Sequence, residues 1–324
     1  MQISDDVVRS FGVGRVFKDN AARINSLDFH KSEDLLVTAG EDDSIRTYNT
    51  QSGTSSKVLF SKKYGVAHIC FTHDPQSVIY ASTKGTEHKI RYQTMHDNKY
   101  IRYFSGHSER VTGLCLSPKT DMFLSAAMDR QVRIWDLRAN KSEGVLDAPS
   151  QCCVAFDQQG LVMCVGSDRG VMRLYDPRQY EHGPFTTFTV ASESQSLEPI
   201  SSIAFSADGK LMVAVLAGRI HLVDAFNGTL LHTFLNGPPN FVPAMEATFS
   251  PDSQYLLSGC EDRSIAVWSV ASKLEVARWG GHSGLPTALK WAPRRMLVAS
   301  ADTNLAMWIP NLQDLDARGI PWRR

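Results

Sequence analysis

The segment Val132-Arg133-Ile134-Trp135 is an apolar run that ends on an aromatic residue, and similar segments return along the whole chain. The other copies are Ile45-Arg46-Thr47-Tyr48, Ile90-Arg91-Tyr92, Met172-Arg173-Leu174-Tyr175, the weaker Ile220-His221-Leu222-Val223, Ile265-Ala266-Val267-Trp268 and Leu305-Ala306-Met307-Trp308. The last residues of the seven copies stand at 48, 92, 135, 175, 223, 268 and 308. Their mean spacing of about 43 residues is typical of structural repeats that stack against one another.

Each copy has the same internal order of short strands and turns. In the third copy, the apolar segments 111–116 and 123–126 precede Trp135. The turn pairs Asp208-Gly209 and Pro251-Asp252 fall between the first and second strands of their units. Short strands, regular turns and this period are typical of WD repeats. We therefore predict an all-β fold, a seven-bladed β-propeller that residues 1–312 form as a single domain.

The two ends of the chain follow from this ring. Residues 13–17 precede the first complete unit and have no local partner strand. Because radial repetition protects strand edges only in a closed ring, we predict that this segment is the outermost strand of the last blade. Residues 313–324 lie beyond the last blade and are expected to be a tail that is flexible or bound to a partner. The polar segment 191–198 is expected to be a mobile loop.

The composition limits the possible functions. The 324 residues include 34 Lys and Arg against 34 Asp and Glu, and 43% are hydrophobic. This balance argues against nucleic-acid binding through bulk charge and against a disordered chain. The longest apolar run, residues 211–217, is far shorter than the roughly 20 residues that cross a bilayer. Since the start of the chain does not resemble a signal peptide, we expect a soluble intracellular protein with no membrane contact.

Two units carry residue types that could indicate catalysis. They are His107, Ser125, Asp129 and Trp135 in the third unit, and His282, Asp302 and Trp308 in the seventh. His, Ser and Asp together occur in hydrolases, but in WD repeats the same types form a hydrogen-bond chain that ends on the Trp indole. An active site is not normally copied around a ring, so we interpret both sets as structural networks.

The rest of the sequence gives no sign of an enzyme or a metal site. It has no phosphate-binding Gly-rich loop, no H-E-x-x-H and no nucleophile elbow. The six cysteines show no C-x-x-C spacing, and we expect them to be reduced structural thiols. We therefore predict no catalytic residues, no metal and no cofactor.

Basic residues concentrate on loops of one predicted face. This top face carries the loops that lead into each blade and the turns between second and third strands. The basic residues on it are Lys62, Lys63, Lys84, Lys89, Arg130, Arg169 and Arg263. They predict a site for an acidic or phosphorylated peptide, since Arg forks bind such groups in bidentate fashion. The alternative is a set of solvated turns without a ligand.

The second unit also contains an unusually aromatic stretch, residues 92–104. Asp97-Asn98 suits a hairpin tip, and Tyr100, Arg102 and Phe104 should alternate with Ile101 and Tyr103 along an outer strand. Aromatic residues with Arg are common anchors of protein interfaces. Packing of this strand against the neighbouring blade is an equally good interpretation.

Several motifs together resemble one WD-repeat family. They are Ser61-Lys62-Lys63-Tyr64-Gly65-Val66, the stretch from His96 through Asn98, Tyr100 and Arg102 to Phe104, Gly106-His107-Ser108, Trp135-Asp136-Leu137-Arg138, Gly183-Pro184-Phe185, Asp224-Ala225-Phe226 and Ala306-Met307-Trp308-Ile309-Pro310. The resemblance is to the small WD-repeat subunit of the COMPASS histone methyltransferase, called the Swd-two protein in yeast. It covers residues 3–312, and its motifs contain Tyr64, His96, Asn98, Tyr100 and Arg102, which are also candidate partner-binding residues.

The resemblance implies a nuclear, non-catalytic scaffold. Members of the family hold the N-terminal region of the SET-domain methyltransferase and support lysine methylation on histone tails. They also serve a second assembly in transcription termination, with a phosphatase-targeting subunit or with cleavage and polyadenylation factors. Contact with the phosphorylated tail of RNA polymerase II is a further association of the family, and direct binding of nucleic acid is not implied.

One rival function has its own motif. Trp135-Asp136-Leu137-Arg138 and Tyr175-Asp176-Pro177-Arg178 both resemble the W-D-x-R box, through which some WD proteins dock on the adaptor of cullin ubiquitin ligases. The chain would then be a substrate receptor of such a ligase. The alternative is that Asp-x-Arg after the third strand is common blade architecture.

Overall fold

The seven repeats fold into seven four-stranded antiparallel sheets. A computed structural model describes residues 3–148, 151–190, 199–216, 218–237 and 245–320. The predicted mobile loop at 191–198 and the last four residues of the predicted tail lie outside these ranges. Within them, the predicted all-β fold of seven blades is confirmed.

The chain begins with helix α1 (Asp5–Arg9) and strand β1 (Phe11–Phe17), and the sheets follow in chain order. Blades 1 to 3 comprise β2 (Ile24–Phe29), β3 (Leu35–Gly40), β4 (Ser44–Asn49) and β5 (Thr54–Phe60); β6 (Ala67–Phe71), β7 (Ser77–Ala81), β8 (Ile90–Thr94) and β9 (Tyr100–Phe104); and β10 (Val111–Leu116), β11 (Met122–Ala127), β12 (Gln131–Asp136) and β13 (Gly144–Asp147).

The remaining blades follow the same order. Blades 4 and 5 comprise β14 (Cys153–Phe156), β15 (Met163–Gly166), β16 (Val171–Tyr175) and β17 (Thr186–Thr189), with a 3-10 helix at Tyr180–His182; and β18 (Ser202–Phe205), β19 (Leu211–Leu216), β20 (Arg219–Asp224) and β21 (Leu230–Leu235). Blades 6 and 7 comprise β22 (Ala247–Phe249), β23 (Tyr255–Gly259), β24 (Ile265–Ser269) and β25 (Glu275–Trp279); and β26 (Ala288–Trp291), β27 (Val298–Ala301) and β28 (Leu305–Pro310), followed by helix α2 (Leu312–Ala317).

The first strand of every blade lies innermost, and successive innermost strands contact one another around the ring. Strand β26 of blade 7 contacts β2 of blade 1, so the ring is closed. Apolar clusters fill the spaces between neighbouring blades. This stacking explains the repeat, because one sheet cannot bury both of its faces alone.

Side chains on innermost strands also connect neighbouring blades. Asp28 accepts hydrogen bonds from the Phe71 amide in blade 2, at 2.9 Å, and from Lys290 Nζ in blade 7, at 2.8 Å. Burial alone would lower the pKa of Lys290, but Asp28 and the neighbouring Cys70 and Glu246 raise it above its usual value. The lysine therefore stays protonated and its ion pair joins the two ends of the ring.

Strand β1 closes blade 7, as the sequence predicts. It pairs antiparallel with β28, from Phe11 opposite Pro310 to Phe17 opposite Leu305. The strand begins two residues earlier than predicted and contains a register shift between Val13 and Arg15. The first and last strands of the chain thus share one sheet.

Two short helices extend this closure. Helix α1 is capped by Ser4 and buries Val7 and Val8 against the outer edge of blade 6, where Trp279 Nε1 donates to the Val8 carbonyl at 3.2 Å. Leu315 of α2 is fully buried in the same apolar cluster as Val7 and Val8. The sequence pattern predicts a tail from residue 313 that is flexible or bound to a partner. In the structure, residues 313–317 belong to α2, and Leu315 and Ile320 pack on this cluster because they supply an apolar face.

Candidate functional site

The His, Ser, Asp and Trp of blade 3 form one continuous hydrogen-bond network. His107 contacts Asp129 through Nδ1, at 2.9 Å, and Ser125 Oγ through Nε2, at 2.7 Å. Trp135 Nε1 donates to the same Ser125 Oγ at 2.8 Å. Ser125 and Trp135 are fully buried, so this serine hydroxyl has no open path to a substrate.

Blade 7 contains the same arrangement. His282 Nε2 lies 2.6 Å from Ser300 Oγ, and Trp308 Nε1 donates to that oxygen at 2.7 Å. Asp302 accepts the Gly284 and Asn304 amides at 2.7 and 2.6 Å and lies 3.4 Å from His282 Nδ1. The network is therefore found twice, in blades that lie far apart in the sequence.

Burial sets the protonation of these groups. It lowers the pKa of His107 and of His282, although the neighbouring aspartates act in the opposite direction. Hydrogen bonds from backbone amides outweigh burial at Asp302 and lower the pKa of its carboxyl. Neutral histidines between an aspartate and a serine satisfy buried polar groups, and this arrangement supports a structural role for both networks.

Within the described residues, no three His, Cys, Asp or Glu side chains lie close enough to hold a metal ion. None of their helices is both long and apolar enough to span a membrane. All six cysteines are free thiols, and burial raises the pKa of each.

The predicted basic residues of the top face fall into two groups. In blade 2, the loop that carries Lys62, Lys63 and Tyr64 contacts the turn that carries Lys84 and Lys89, because the Thr83 and Lys84 amides both donate to the Tyr64 carbonyl. Lys84 also pairs with Asp43, and Lys89 pairs with Glu87 at 2.8 Å.

The second group consists of Arg130, Arg169 and Arg263, which occupy equivalent turns of blades 3, 4 and 6. All three are exposed and have positive φ angles of 61°, 55° and 68°. None of them forms an ion pair with a residue in the described ranges. The structure brings these arginines to one face, but each on a separate blade.

The aromatic strand β9 keeps the predicted alternation of more buried and exposed residues, but Tyr100 differs in the side of the sheet on which it lies. A register shift places Tyr100 opposite Gln93 and Arg102 opposite Tyr92, so one extra residue bulges between them. As a result Tyr100 lies on the same side as Tyr103, with ring centroids 5.3 Å apart, whereas Arg102 reaches blade 3 and donates to the Leu137 carbonyl at 3.0 Å. His96 and Asn98 lie in the exposed turn at the opposite face from the lysines.

One arginine that the sequence does not single out lies at the centre of this region. The guanidinium of Arg91 stacks 3.3 Å from the ring centroid of Tyr64, and lies 5.4 and 5.0 Å from those of Tyr100 and Tyr103. We call Tyr64, Tyr100 and Tyr103 the tyrosine cage. Its rings come from a loop and from a bulged strand, so no local pattern in the sequence indicates it.

The two W-D-x-R boxes differ in geometry. In blade 3, Asp136 binds the guanidinium of Arg138 within the box, with Nη2 at 2.6 Å, although the Arg138 side chain is 77% exposed. In blade 4, Asp176 accepts the Arg178 amide at 2.8 Å. These contacts stabilise the turn after the third strand, which is the role expected of common blade architecture.

Family comparison supports the repeat assignment. Residues 13–49, 98–136 and 228–269 match the family described as WD domain, G-beta repeat. Each match begins at the outermost strand of one blade and ends with the third strand of the next. The sequence repeat is therefore out of phase with the blade, which explains why the first strand of the chain completes the last blade. The fold and these repeats define a WD-repeat β-propeller.

Relatives cover almost the whole chain. It is 41% identical to "Protein ANTHESIS POMOTING FACTOR 1" of Arabidopsis thaliana over 96% of this chain and 94% of the relative. It is 39% identical to WD repeat-containing protein 82 of Drosophila melanogaster, over 97% and 99% of the two chains. It is 28% identical to the COMPASS component SWD2 of Saccharomyces cerevisiae, over 88% and 90%. The chain belongs to this Swd2 and WD repeat-containing protein 82 family.

Proposed function

We propose that the protein is a non-catalytic scaffold subunit of a nuclear, COMPASS-like histone lysine methyltransferase complex, in which it binds the N-terminal region of the SET-domain subunit. The observation that carries this proposal is the likeness to a protein named as a COMPASS component, which extends over 88% of the chain. The buried Ser125 and Ser300 support a role without catalysis, since both hydroxyls are fully enclosed by their networks.

Affinity purification with mass spectrometry tests this assignment. The full chain, tagged and expressed in its own cells, should recover a SET-domain methyltransferase subunit from nuclear extract. Recovery of a cullin adaptor in place of the methyltransferase would instead establish the ubiquitin-ligase reading. A variant with Arg138→Ala and Arg178→Ala should leave recovery of the methyltransferase unchanged, because the Arg138 side chain is bound within its own turn.

We further propose that the protein takes part in transcription termination, with a phosphatase-targeting subunit or with cleavage and polyadenylation factors, and that it binds the phosphorylated tail of RNA polymerase II. Support comes from the exposed Arg130, Arg169 and Arg263 of the top face, which have no ion-pair partner in the described ranges. Arginine forks that lack an internal acceptor are suited to bind phosphate oxygens.

Charge reversal on one face tests this second proposal. Changing Arg130, Arg169 and Arg263 to Glu should weaken binding of a phosphorylated polymerase-tail peptide at least about tenfold, with little change in melting temperature, because exposed charges contribute little to stability. The matched control changes Lys141, Arg178 and Lys210, which are exposed on the opposite face, to Glu. Unchanged peptide affinity at low salt in the first variant would contradict the proposal, and equal loss in both variants would show only a bulk-charge effect.

A further inference from the structure

Arg46 of blade 1 and Arg91 of blade 2 occupy the same place in their blades but meet different partners. Each lies on the third strand, and each is almost fully buried, at 8% and 2% exposure. Arg46 lies between two carboxylates, with Nη1 3.4 Å from Asp19 and Nη2 3.8 Å from Asp42. In blade 1 the chain itself therefore supplies the anions for this position.

In blade 2 the corresponding carboxylate is directed elsewhere. Glu87 stands four residues before Arg91, as Asp42 does before Arg46, but it is exposed and pairs with Lys89 at 2.8 Å. Among the described residues, Arg91 donates a single hydrogen bond, from Nε to Ser82 Oγ at 3.0 Å. Its two terminal nitrogens, which carry four N–H donors, have no acceptor within that part of the chain.

A buried guanidinium without an anion is unfavourable unless its surroundings compensate for the lost hydration. The tyrosine cage compensates in part, since the faces of aromatic rings attract cations. Rings stacked against the guanidinium plane also fix its orientation, and the edge with its two terminal nitrogens has no acceptor among the described residues. Arg91 is thus a preoriented donor fork, held by rings instead of by carboxylates.

The surface around the fork shows what kind of molecule could supply the missing anion. Lys63 Nζ lies 5.1 Å from the ring centroid of Tyr64, which adds a second positive charge. Tyr103 of the cage is 45% exposed. Ile101, on the same strand as Tyr100 and Tyr103, and Phe60, which directly precedes the loop of Lys62, Lys63 and Tyr64, are 47% and 52% exposed. A small anion would leave these apolar groups uncovered, whereas a peptide with apolar residues beside an acidic one would cover them.

We propose that Arg91 and the tyrosine cage form a docking site for an acidic peptide segment of a partner protein, in which a Glu or Asp carboxylate binds the terminal nitrogens of Arg91. This proposal rests on the scaffold function proposed above and adds a binding site and a ligand class to it. The carboxylate would take the place that Asp19 and Asp42 take beside Arg46.

Fluorescence anisotropy with defined peptides tests the site. The probes are three labelled decapeptides in which leucine alternates with glutamate, with glutamine or with phosphoserine. We expect the full-length protein to bind the glutamate peptide, and Arg91→Gln to weaken this binding at least about tenfold. Arg91→Lys keeps the charge but loses the fork, so it should also weaken binding several-fold.

Two controls separate binding from folding. Arg133→Gln changes the equivalent residue of blade 3, which bonds to Gln131 and Ser142, and should leave affinity unchanged. Tyr103→Ala removes an exposed ring of the cage. If stacking orients the Arg91 guanidinium, this change should lower peptide affinity about threefold. The variant should still show a melting transition, because the ring is partly exposed. This variant keeps the test informative even if Arg91→Gln does not fold.

The outcomes are separable. Equal affinity of the wild type and Arg91→Lys for the glutamate peptide, or no binding of that peptide at all, would overturn the proposal. Binding of the phosphoserine peptide in place of the glutamate peptide would overturn the carboxylate assignment. Recovery of the methyltransferase by the wild type but not by Tyr103→Ala would connect the site to the scaffold function. If even the wild type recovers no methyltransferase, the scaffold proposal fails while the peptide result still stands.

Discussion

Blades 3 and 7 contain the same network of His, Ser and Trp, yet they are built from different parts of the chain. All four strands of blade 3 come from one stretch, residues 111–147, whereas blade 7 takes its outer strand from residues 11–17. The two networks have nearly the same distances. The interior of a blade is therefore set by its local repeat, whereas we expect its stability against unfolding to depend also on how the chain completes its sheet.

Removal of residues 1–20 should produce the largest difference between the two blades, because it affects blade 7 and leaves blade 3 intact. Blade 7 would lose β1 and helix α1 together, exposing the edge of β28 and the apolar cluster around Trp279 and Trp308. We expect an insoluble chain or one with a much lower melting temperature. A synthetic peptide of residues 1–20, added in trans, should restore solubility. Normal folding and melting without that peptide would contradict the closure.

Helices α1 and α2 share an apolar cluster beside blade 7, and blade 3 has no such pair of helices within the described residues. A substitution in α2 therefore tests what the helices add to the closure of blade 7. Leu315→Ala should cost about 2 to 4 kcal/mol of unfolding free energy, as expected for a fully buried leucine. Leu312 in the same helix is 39% exposed, so Leu312→Ala is the control and should cost well under about 1 kcal/mol. Chemical denaturation measures both values. Equal effects would show that α2 does not stabilise the closure of blade 7 by β1.

The networks themselves provide a comparison at matched positions. His107→Ala and His282→Ala should each lower the unfolding free energy by about 1 to 3 kcal/mol, because each leaves buried polar groups without a partner. Since the His–Ser and Trp–Ser hydrogen bonds of the two blades have nearly the same lengths, we expect similar losses despite their different connectivity. A loss several times larger in blade 7 would show that the network there also secures the ring closure.

A mild pH change should have the smallest effect. Burial lowers the pKa of His107 and His282 and lowers that of His68 and of His221 to about 4. The unfolded chain therefore binds more protons than the folded chain. The contribution of these histidines to the free energy of unfolding is complete above about pH 6.5 and is lost as the pH falls toward 4. Between pH 7 and pH 6 each histidine should cost less than about 1 kcal/mol.

Denaturant unfolding at the two pH values measures this slope. The wild type should become less stable on acidification, and His107→Ala should reduce the slope by the share of one histidine. Asp302 does not contribute in this window, because its folded pKa lies below its usual value and its stabilisation is lost only at lower pH. A protein that gains stability between pH 7 and pH 6 would contradict the neutral state of these histidines.

The sequence predicts most of the fold because the repeat has a strong physical signal. Trp135 and its counterparts recur at a nearly constant spacing, and the unpartnered strand before the first unit leads directly to the pairing of Phe17 with Leu305. The short helices escape prediction for the opposite reason. Five or six residues span less than two turns, so neither helix shows a hydrophobic period in the sequence. Helix α2 is recognised only from the packing of Leu315 in the structure.

The candidate site is less predictable than the fold. Exposed turn residues such as Arg130 can be placed on a face from strand order alone. The tyrosine cage cannot, because Tyr64 comes from a loop and Tyr100 reaches the cage only through the bulge in β9. A position like that of Arg91 becomes unusual only when its neighbours in space are known, since blade 1 contains the same arginine with ordinary carboxylate partners.

Because β1 pairs with β28, the sheet of blade 7 cannot be completed until the end of the propeller has been synthesised. Strand β1 is synthesised before its partner β28, which follows almost 290 residues later. At about 5 to 20 residues per second, the interval is roughly 15 to 60 s. Throughout that time the nascent protein has an unpaired edge that includes Val13 and Val16. We expect chaperones to bind this segment during translation. We also expect slower elongation to increase misassembly more than substitutions within any central blade do.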